Sequence, residues 1–482
     1  MNNKSFKRTS KNLYFVFILL PSLLLLGCFE DLDDNVVATT NINDFVWKGM
    51  NAVYLYKSEI PDLANDRFST DEEYTSYLND FENPELLFES VKYLPNEVDR
   101  FSRIFDNYFD FLNQQQGNTI SDGLEFYLDL VPGSDTEVYG AITLVLNNSV
   151  ADDLGLQRGQ IFRAVNGVNL TVNNFANLLN DSSYTLNFAN YDTNATVSTA
   201  DDTVVLNGES VTVTKTTYTE NPVHRSLVLD ISNTKIGYLM YNSFNSNFHN
   251  SLNAVFADFA NQGVTELVLD LRYNGGGSIQ TATYLASMVT GQFNGEIFSK
   301  LFYNENLQDN NRDFLFTNTI EGLGAINSLG LTKVYVLTTN ARTASASELI
   351  INSLKPYIDV IVVGEPTVGK TQASQLIYDS PTLFSSANAD PTHSYAMLPL
   401  IANSVNVNDQ LVSGTGLLPD ILVSEVAYDL GTLGDTNEPL LNAAIADITG
   451  IADRPAQQND WSKNRVDISE LLPPLDQLMI IE

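Results

Sequence analysis

Three stretches of the sequence carry residue types that could do chemistry. The first is Asp270-Leu271-Arg272-Tyr273-Asn274-Gly275-Gly276-Gly277-Ser278. Three glycines after an apolar run form a loop whose backbone N–H groups can approach a ligand and point at an anion, or simply a strand-to-helix turn. The second is Thr343-Ala344-Ser345-Ala346-Ser347-Glu348. Ser345 at a helix N-terminus is either half of a capping box closed by Glu348 or a nucleophile, the next N–H, that of Ala346, then stabilising an oxyanion. The third is Gly364-Glu365-Pro366-Thr367-Val368-Gly369-Lys370-Thr371. It satisfies the nucleotide-binding pattern G-x-x-x-x-G-K-[ST], which requires a helix directly afterwards to receive the phosphates. Here Gln372-Ala373-Ser374-Gln375-Leu376-Ile377-Tyr378 alternates and soon meets Pro381, so the continuation reads as a strand and a nucleotidase is the remote alternative. The chain has 3 His and 1 Cys. A serine nucleophile would therefore need another base, and a lysine whose pKa is lowered by burial can serve; Lys370 is the candidate.

These stretches must be held by regular elements. Ile236–Tyr241, Glu266–Leu271, Lys333–Thr338 and Val360–Val363 are near-continuous apolar runs, as expected of strands covered on both faces, with helical patterns around Ser251–Asn261, Ile279–Val289 and Ser345–Lys355 between them. That alternation predicts an α/β domain over 218–430, with its site at the strand ends. Before it, 44–118 has aromatic-rich helical spacing and predicts a small N-terminal helical domain without visible chemistry, while 119–217 is β-rich with turn signals. After it, 431–482 reads as a helix near Pro439–Ile448 followed by a polar, loosely docked tail.

Composition narrows the class. The 482 residues carry 25 Lys+Arg against 59 Asp+Glu, a formal charge of −34, and 44% are hydrophobic. An acidic surface of that size argues against nucleic acid and an anionic membrane face as partners. The single cysteine excludes a disulfide framework or a multi-cysteine metal site, and the histidines His224, His249 and His393 are not at metal-ligand spacing. No metal or cofactor is implied. At the N-terminus Lys4, Lys7, Arg8 and Lys11 precede the apolar run Leu13–Leu26, which is short for a bilayer span and suits a signal-peptide core. It ends in Leu25-Leu26-Gly27-Cys28, which resembles a bacterial lipobox. That resemblance implies removal of 1–27, lipidation of Cys28, a tether over 28–43, and a cell-envelope location on an outer-membrane, periplasmic or surface face.

Two further resemblances join the parts. Ser149–Gly167, with its Gly155-Leu156, Gly159-Gln160 turn and Asn166-Gly167 hairpin, resembles the core of a PDZ domain, with Gln160 in place of the usual Asp. It implies capture of C-terminal peptides by strand addition, with Gly123-Leu124 as the carboxylate loop. Asn-Gly-Gly-Gly, Thr-Ala-Ser-Ala-Ser-Glu and Gly-Glu-Pro-Thr-Val-Gly-Lys behind such a domain resemble the tail-specific or C-terminal processing peptidases of family S41, over about 120–425. The resemblance implies a ClpP/crotonase-like α/β fold and a lipid-anchored serine endopeptidase acting on polypeptides with free C-termini. Ser345 would be the nucleophile and Lys370 the base, with Ala346 and Gly277 N–H as the oxyanion hole. Glu348 would orient the lysine or the serine helix, or cap it; Asp270 and Arg272 would hold the glycine loop. Many family members carry a Gln four residues after the lysine, where this chain has Ser374; Gln372, on the same strand face as Lys370, is the expected substitute. The alternative from another class is a non-catalytic binding lipoprotein on the same scaffold.

Overall fold

The computed structural model describes residues 42–196, 198–451, 464–468, 471 and 477–481. Cys28, the apolar N-terminal run and the tether lie outside the described residues. No helix among the described residues is long and apolar enough to cross a membrane.

The expected alternation is present. Val223–Ile231, Thr234–Tyr241, Glu266–Asp270, Lys333–Thr338, Asp359–Gly364 and Ile421–Leu422 form one sheet in that order, parallel throughout except for the first hairpin. Alternate residues of its strands enter opposite cores. Leu239, Leu267, Leu269, Val334, Val336 and Val362 pack with helices His249–Gln262, Ile279–Thr290 and Ala346–Leu354. Tyr238, Met240, Val268, Tyr335, Leu337 and Val363 pack with Leu440, Leu441 and Ala444 of helix Pro439–Thr449. Burial on both faces is why these strands read as continuous apolar runs.

Strands from before and after the Lys370 loop build a second sheet. Its order is Gly277–Ser278, Met479–Ile480, Gln372–Ser374, Leu400–Val405, Ile297–Tyr303, Arg312–Leu315. Most of this sheet was not expected, because its strands are short and flanked by long loops. The segment expected to be a loosely docked tail supplies an internal strand instead. Leu478, Met479, Ile480 and Ile481 are all buried, since their alternate side chains meet apolar surface on both faces.

The N-terminal helices Ile42–Val53 and Pro84–Ser90 do not form a core of their own. Phe45, Val46, Met50, Leu87 and Phe88 belong to the same apolar cluster as the helices of the main sheet, and Asn41–Glu482 is one compact unit. Strand Arg103–Phe105 pairs with Ala396–Leu398, which pairs with Ile377–Tyr378, tying this region to the stretch after Lys370.

The β-rich region is an antiparallel sheet in the order Leu124–Leu130, Val138–Val145, Ile161–Val165, Ser183–Asp192, Thr203–Thr214, with helices Val150–Asp153 and Phe175–Asn180 against it. Asn166 and Gly167 both take positive φ, 52° and 77°, as a two-residue hairpin turn requires. Gln160 closes the preceding turn, its Oε1 accepting the Gln157 N–H at 2.8 Å.

Candidate active site

Ser345 immediately precedes helix Ala346–Leu354 and is completely buried. Its φ of 65° and ψ of −115° are strained for a residue with a Cβ, a cost of about 1–3 kcal/mol that the surrounding structure must offset. Glu348 accepts the Ser345 N–H at 2.8 Å, the backbone half of a capping box. The hydroxyl does not serve as a cap: Ser345 Oγ is buried and has no hydrogen-bond partner among the described residues.

Lys370 closes the loop after strand Asp359–Gly364 and is also fully buried, with Nζ unpartnered among the described residues. Burial drives its pKa well below the usual lysine range, and the nearby Arg103 guanidinium pushes the same way against the opposing pull of Asp99 and Glu348. Phe101 presents its ring 5.2 Å from Nζ, and Arg100 donates to the carbonyls of Val368 and Gly369. Residues 99–103 thus wall in the lysine. Their sequence gave no sign of this, because the contact is made by chain more than 260 residues away.

Glu348 links the two groups. One carboxylate oxygen accepts from Ser345 N–H and Lys370 N–H, each at 2.8 Å; the other accepts from Gly369 N–H at 2.7 Å and from the Thr367 hydroxyl. Burial raises its pKa, and these hydrogen bonds oppose the rise by favouring the ionised form. Those same N–H groups would have to cradle a phosphate in a nucleotide-binding loop. The helix that such a loop requires is also missing, since strand Gln372–Ser374 follows. The nucleotide-binding reading of Gly364–Thr371 is therefore set aside.

The glycine loop lies against Ser345. Asn274 orders it, donating from Nδ2 to Tyr241 O at 2.8 Å and accepting from Gly276 N–H at 2.8 Å, while its carbonyl accepts from Ser347 Oγ at 3.0 Å. Ser347 is thus a structural group, and Asn274 is one whose role was not read from its type. Gly276 and Gly277 have φ of 116° and 130°. A Cβ on Gly276 would sit 2.8 Å from Ser345 Oγ and run into Leu478 O, and one on Gly277 would meet Phe244 O at 2.5 Å. The Gly277 N–H donates to Leu478 O at 2.7 Å. Ala346 N–H begins the helix beside Ser345.

Beneath the loop, Arg272 is fully buried among three carboxylates. It pairs with Asp270 at 2.8 Å, Glu425 at 3.0 Å and Glu438 at 2.6 Å. Arg158, from the β-rich region, also reaches Glu425. The two arginines hold Glu425 at about 2, below the ordinary carboxylate range, despite its burial.

The remaining expected residues separate. Gln372 is half-buried and has no hydrogen bond to Lys370; Ser374 is buried, with Oγ unpartnered among the described residues. At the expected carboxylate loop, Gly123 N–H donates to Ser121 Oγ at 2.9 Å and Leu124 N–H to Asp122 Oδ1 at 3.0 Å, so both donors are already engaged. Asp379, Asp390 and His393 bring three ligand-type atoms within 4.8 Å of one another, and nothing else marks that cluster as a metal site.

Comparison with known proteins agrees with this architecture. Residues 235–421 match peptidase family S41 and residues 41–103 match the peptidase S41 N-terminal domain, together just over half of the chain. The C-terminal processing peptidase of Tetradesmus obliquus chloroplasts is 28% identical over 35% of this chain and 34% of its own length. The carboxyl-terminal-processing protease of a Picosynechococcus strain is 25% identical over 49% of this chain and 50% of its own. The chain thus spans between a third and a half of the length of these curated relatives. A crystal structure from Bacteroides fragilis assigned to the S41 proteases superposes with a TM-score of 0.67 at 29% identity, covering 85% of this chain and 98% of that one. Matches on both sides of the β-rich region and a superposition along most of its length lead to one conclusion: the chain belongs to peptidase family S41.

Proposed function

We propose that the protein is a serine endopeptidase in which Ser345 attacks a peptide carbonyl and Lys370 takes the hydroxyl proton. The observation that carries this reading is the pair of fully buried, unpartnered groups, Ser345 Oγ and Lys370 Nζ, whose backbones are fixed by one carboxylate, Glu348. Buried polar atoms are almost always hydrogen-bonded, so two such orphans at the end of one sheet are kept at a cost in stability. A lysine with a lowered pKa is neutral at a lower pH than an ordinary lysine and so can accept a proton, and the oxyanion that forms on the carbonyl falls to Gly277 N–H and Ala346 N–H. The covalent acyl intermediate on Ser345 is then released by water.

The substrate in this reading is a polypeptide offered by its C-terminus. The β-rich region acts as a PDZ domain, a role supported by its sheet order, its Asn166-Gly167 hairpin and the place of strand Leu124–Leu130 at the end of that order. Since the N–H groups of Gly123 and Leu124 are engaged, recognition rests on strand addition and apolar pockets more than on a carboxylate loop. Cys28 as a lipid anchor in the cell envelope completes the proposal, tested by the mass of the mature N-terminus.

The test of catalysis is cleavage of an unfolded protein, with free or amidated C-terminus, by chain starting at Asn35. Cleavage by the wild type that is lost in both Ser345→Ala and Lys370→Ala is the expected result. A wild type that binds the substrate and never cuts it would replace the peptidase with a binding protein.

A further inference from the structure

We infer that residues 465–468, 471 and 478–481 act as an internal peptide ligand, a tethered competitor lying along the path a substrate strand would take. This rests on the peptidase reading for the meaning of the path, and on two separate sets of contacts for the occupancy.

The first set is at the β-rich sheet. Leu124–Leu130 is its outer strand, and on the free side Val466 N–H donates to Leu128 O at 2.8 Å while Arg465 bridges antiparallel to Asp129. The Arg465 guanidinium bonds Asp129 at 2.7 Å and lies 3.6 Å from the Tyr127 ring centre. Val466, Ile468 and Leu471 pack on the core of that sheet. Antiparallel pairing sends the chain from Arg465 towards Gly123-Leu124. This is strand addition: backbone bonds on one edge and alternate apolar side chains in a groove.

The second set is at Ser345. Leu478 O accepts the Gly277 N–H at 2.7 Å, so the donor proposed for the oxyanion already holds a peptide carbonyl. Met479 and Ile480 pair in parallel with Gly277 and Ser278, Ile480 pairs in parallel with Ser374 on the other side, and Ile481 N–H donates to Ser374 O at 3.1 Å. Met479 and Ile481 enter the main core, while Leu478 and Ile480 face Phe111, Leu376 and Leu398. A backbone read from both sides with apolar side chains at every position defines the ligand class of the cleft: an extended, unfolded, apolar polypeptide. Until residues 478–481 leave, an incoming carbonyl cannot reach Gly277 N–H. Being on the same chain, the segment competes at an effective concentration in the millimolar range.

The experiment severs the segment after folding. A cleavage site for an external protease is placed within 452–460 of the full chain carrying Ser345→Ala, and binding of a fluorescent peptide of residues 465–481 is followed by anisotropy before and after the cut. Expected is binding at least about tenfold tighter by the cut chain, weakened when the peptide carries Val466→Asp and Met479→Asp. Equal binding before and after, or a severed segment that labelled peptide cannot exchange within a day, makes it an ordinary core strand and overturns the proposal. The same cut in chain retaining Ser345 should raise peptide cleavage by a similar factor. Tighter binding without cleavage in either state would leave the ligand standing and remove the peptidase.

Discussion

Two buried polar clusters lie within one strand-to-helix loop of each other and are built on opposite rules. Around Arg272 every charge is answered: Asp270, Glu425 and Glu438 surround one guanidinium, Tyr238 donates to Asp270 at 2.7 Å and Tyr273 to Glu425 at 2.7 Å. At Ser345 and Lys370 both backbone N–H groups are bonded to Glu348, while Oγ and Nζ are left without partners among the described residues. Charged groups can be buried in the first place because each has compensation, and the result is a fixed platform under the glycine loop. Polar groups in the second are buried without compensation, which costs stability and leaves them free to react. The lesson is that burial alone does not mark the site; an unsatisfied hydroxyl and an unsatisfied amine whose backbones are fixed by one shared carboxylate do.

That contrast can be broken most severely at the unsatisfied side. Ser345→Ala and Lys370→Met should each lower peptide cleavage by about 10⁴-fold or more, measured as kcat/KM, with the fold intact by circular dichroism. On the satisfied side, Glu438→Ala removes a carboxylate that serves both Arg272 and the N–H of Leu441, at 2.8 Å, at the start of helix Pro439–Thr449. It should cost about 3–5 kcal/mol in urea unfolding with an unchanged slope, because a buried guanidinium loses a partner. Gly277→Ala sits between the two, since a Cβ there meets Phe244 O and displaces an oxyanion donor. A loss of about 10²–10³ in kcat is expected, larger than the loss in binding of an apolar peptide.

The smallest effect sharpens the comparison through pH. Lys370 has a folded pKa well below its unfolded value, so between the two the unfolded chain holds the extra proton and stability rises with pH. The lysine's share of the slope should approach about 1.4 kcal/mol per pH unit at most and be lost in Lys370→Met, which should also be the more stable protein at neutral pH. Activity should fall in parallel as the pH drops through the same lowered pKa. A Lys370→Met chain that retains the wild-type slope would show that the lysine is not the group held neutral.

Much of the site was legible because it lies in local patterns. Ser345 at a helix start, Lys370 after an apolar strand and Gly275-Gly276-Gly277 before a helix are each read from neighbours in sequence, and their spacing carried the family resemblance. Glu348 was legible as a capping residue three positions from Ser345; its bonds to Gly369 and Lys370 were not, because they cross to another loop. Gln372 was expected from strand alternation to support Lys370, yet the wall around that lysine comes from Phe101 and Arg103, in a region that showed no chemistry.

By itself the sequence determined the alternation of strands and helices, the identity of the nucleophile and base candidates, and the turn chemistry of Asn166-Gly167, since periodicity and φ preference act within a few residues. Tertiary structure alone decided that Lys370 is buried, that Ser345 Oγ is left unpartnered, and that Leu478–Ile481 is an inner strand of the second sheet rather than a loose tail. Burial and strand pairing depend on which distant segments meet. A short apolar run such as Leu478–Ile481 reads the same whether it ends in solvent or between Gly277 and Ser374.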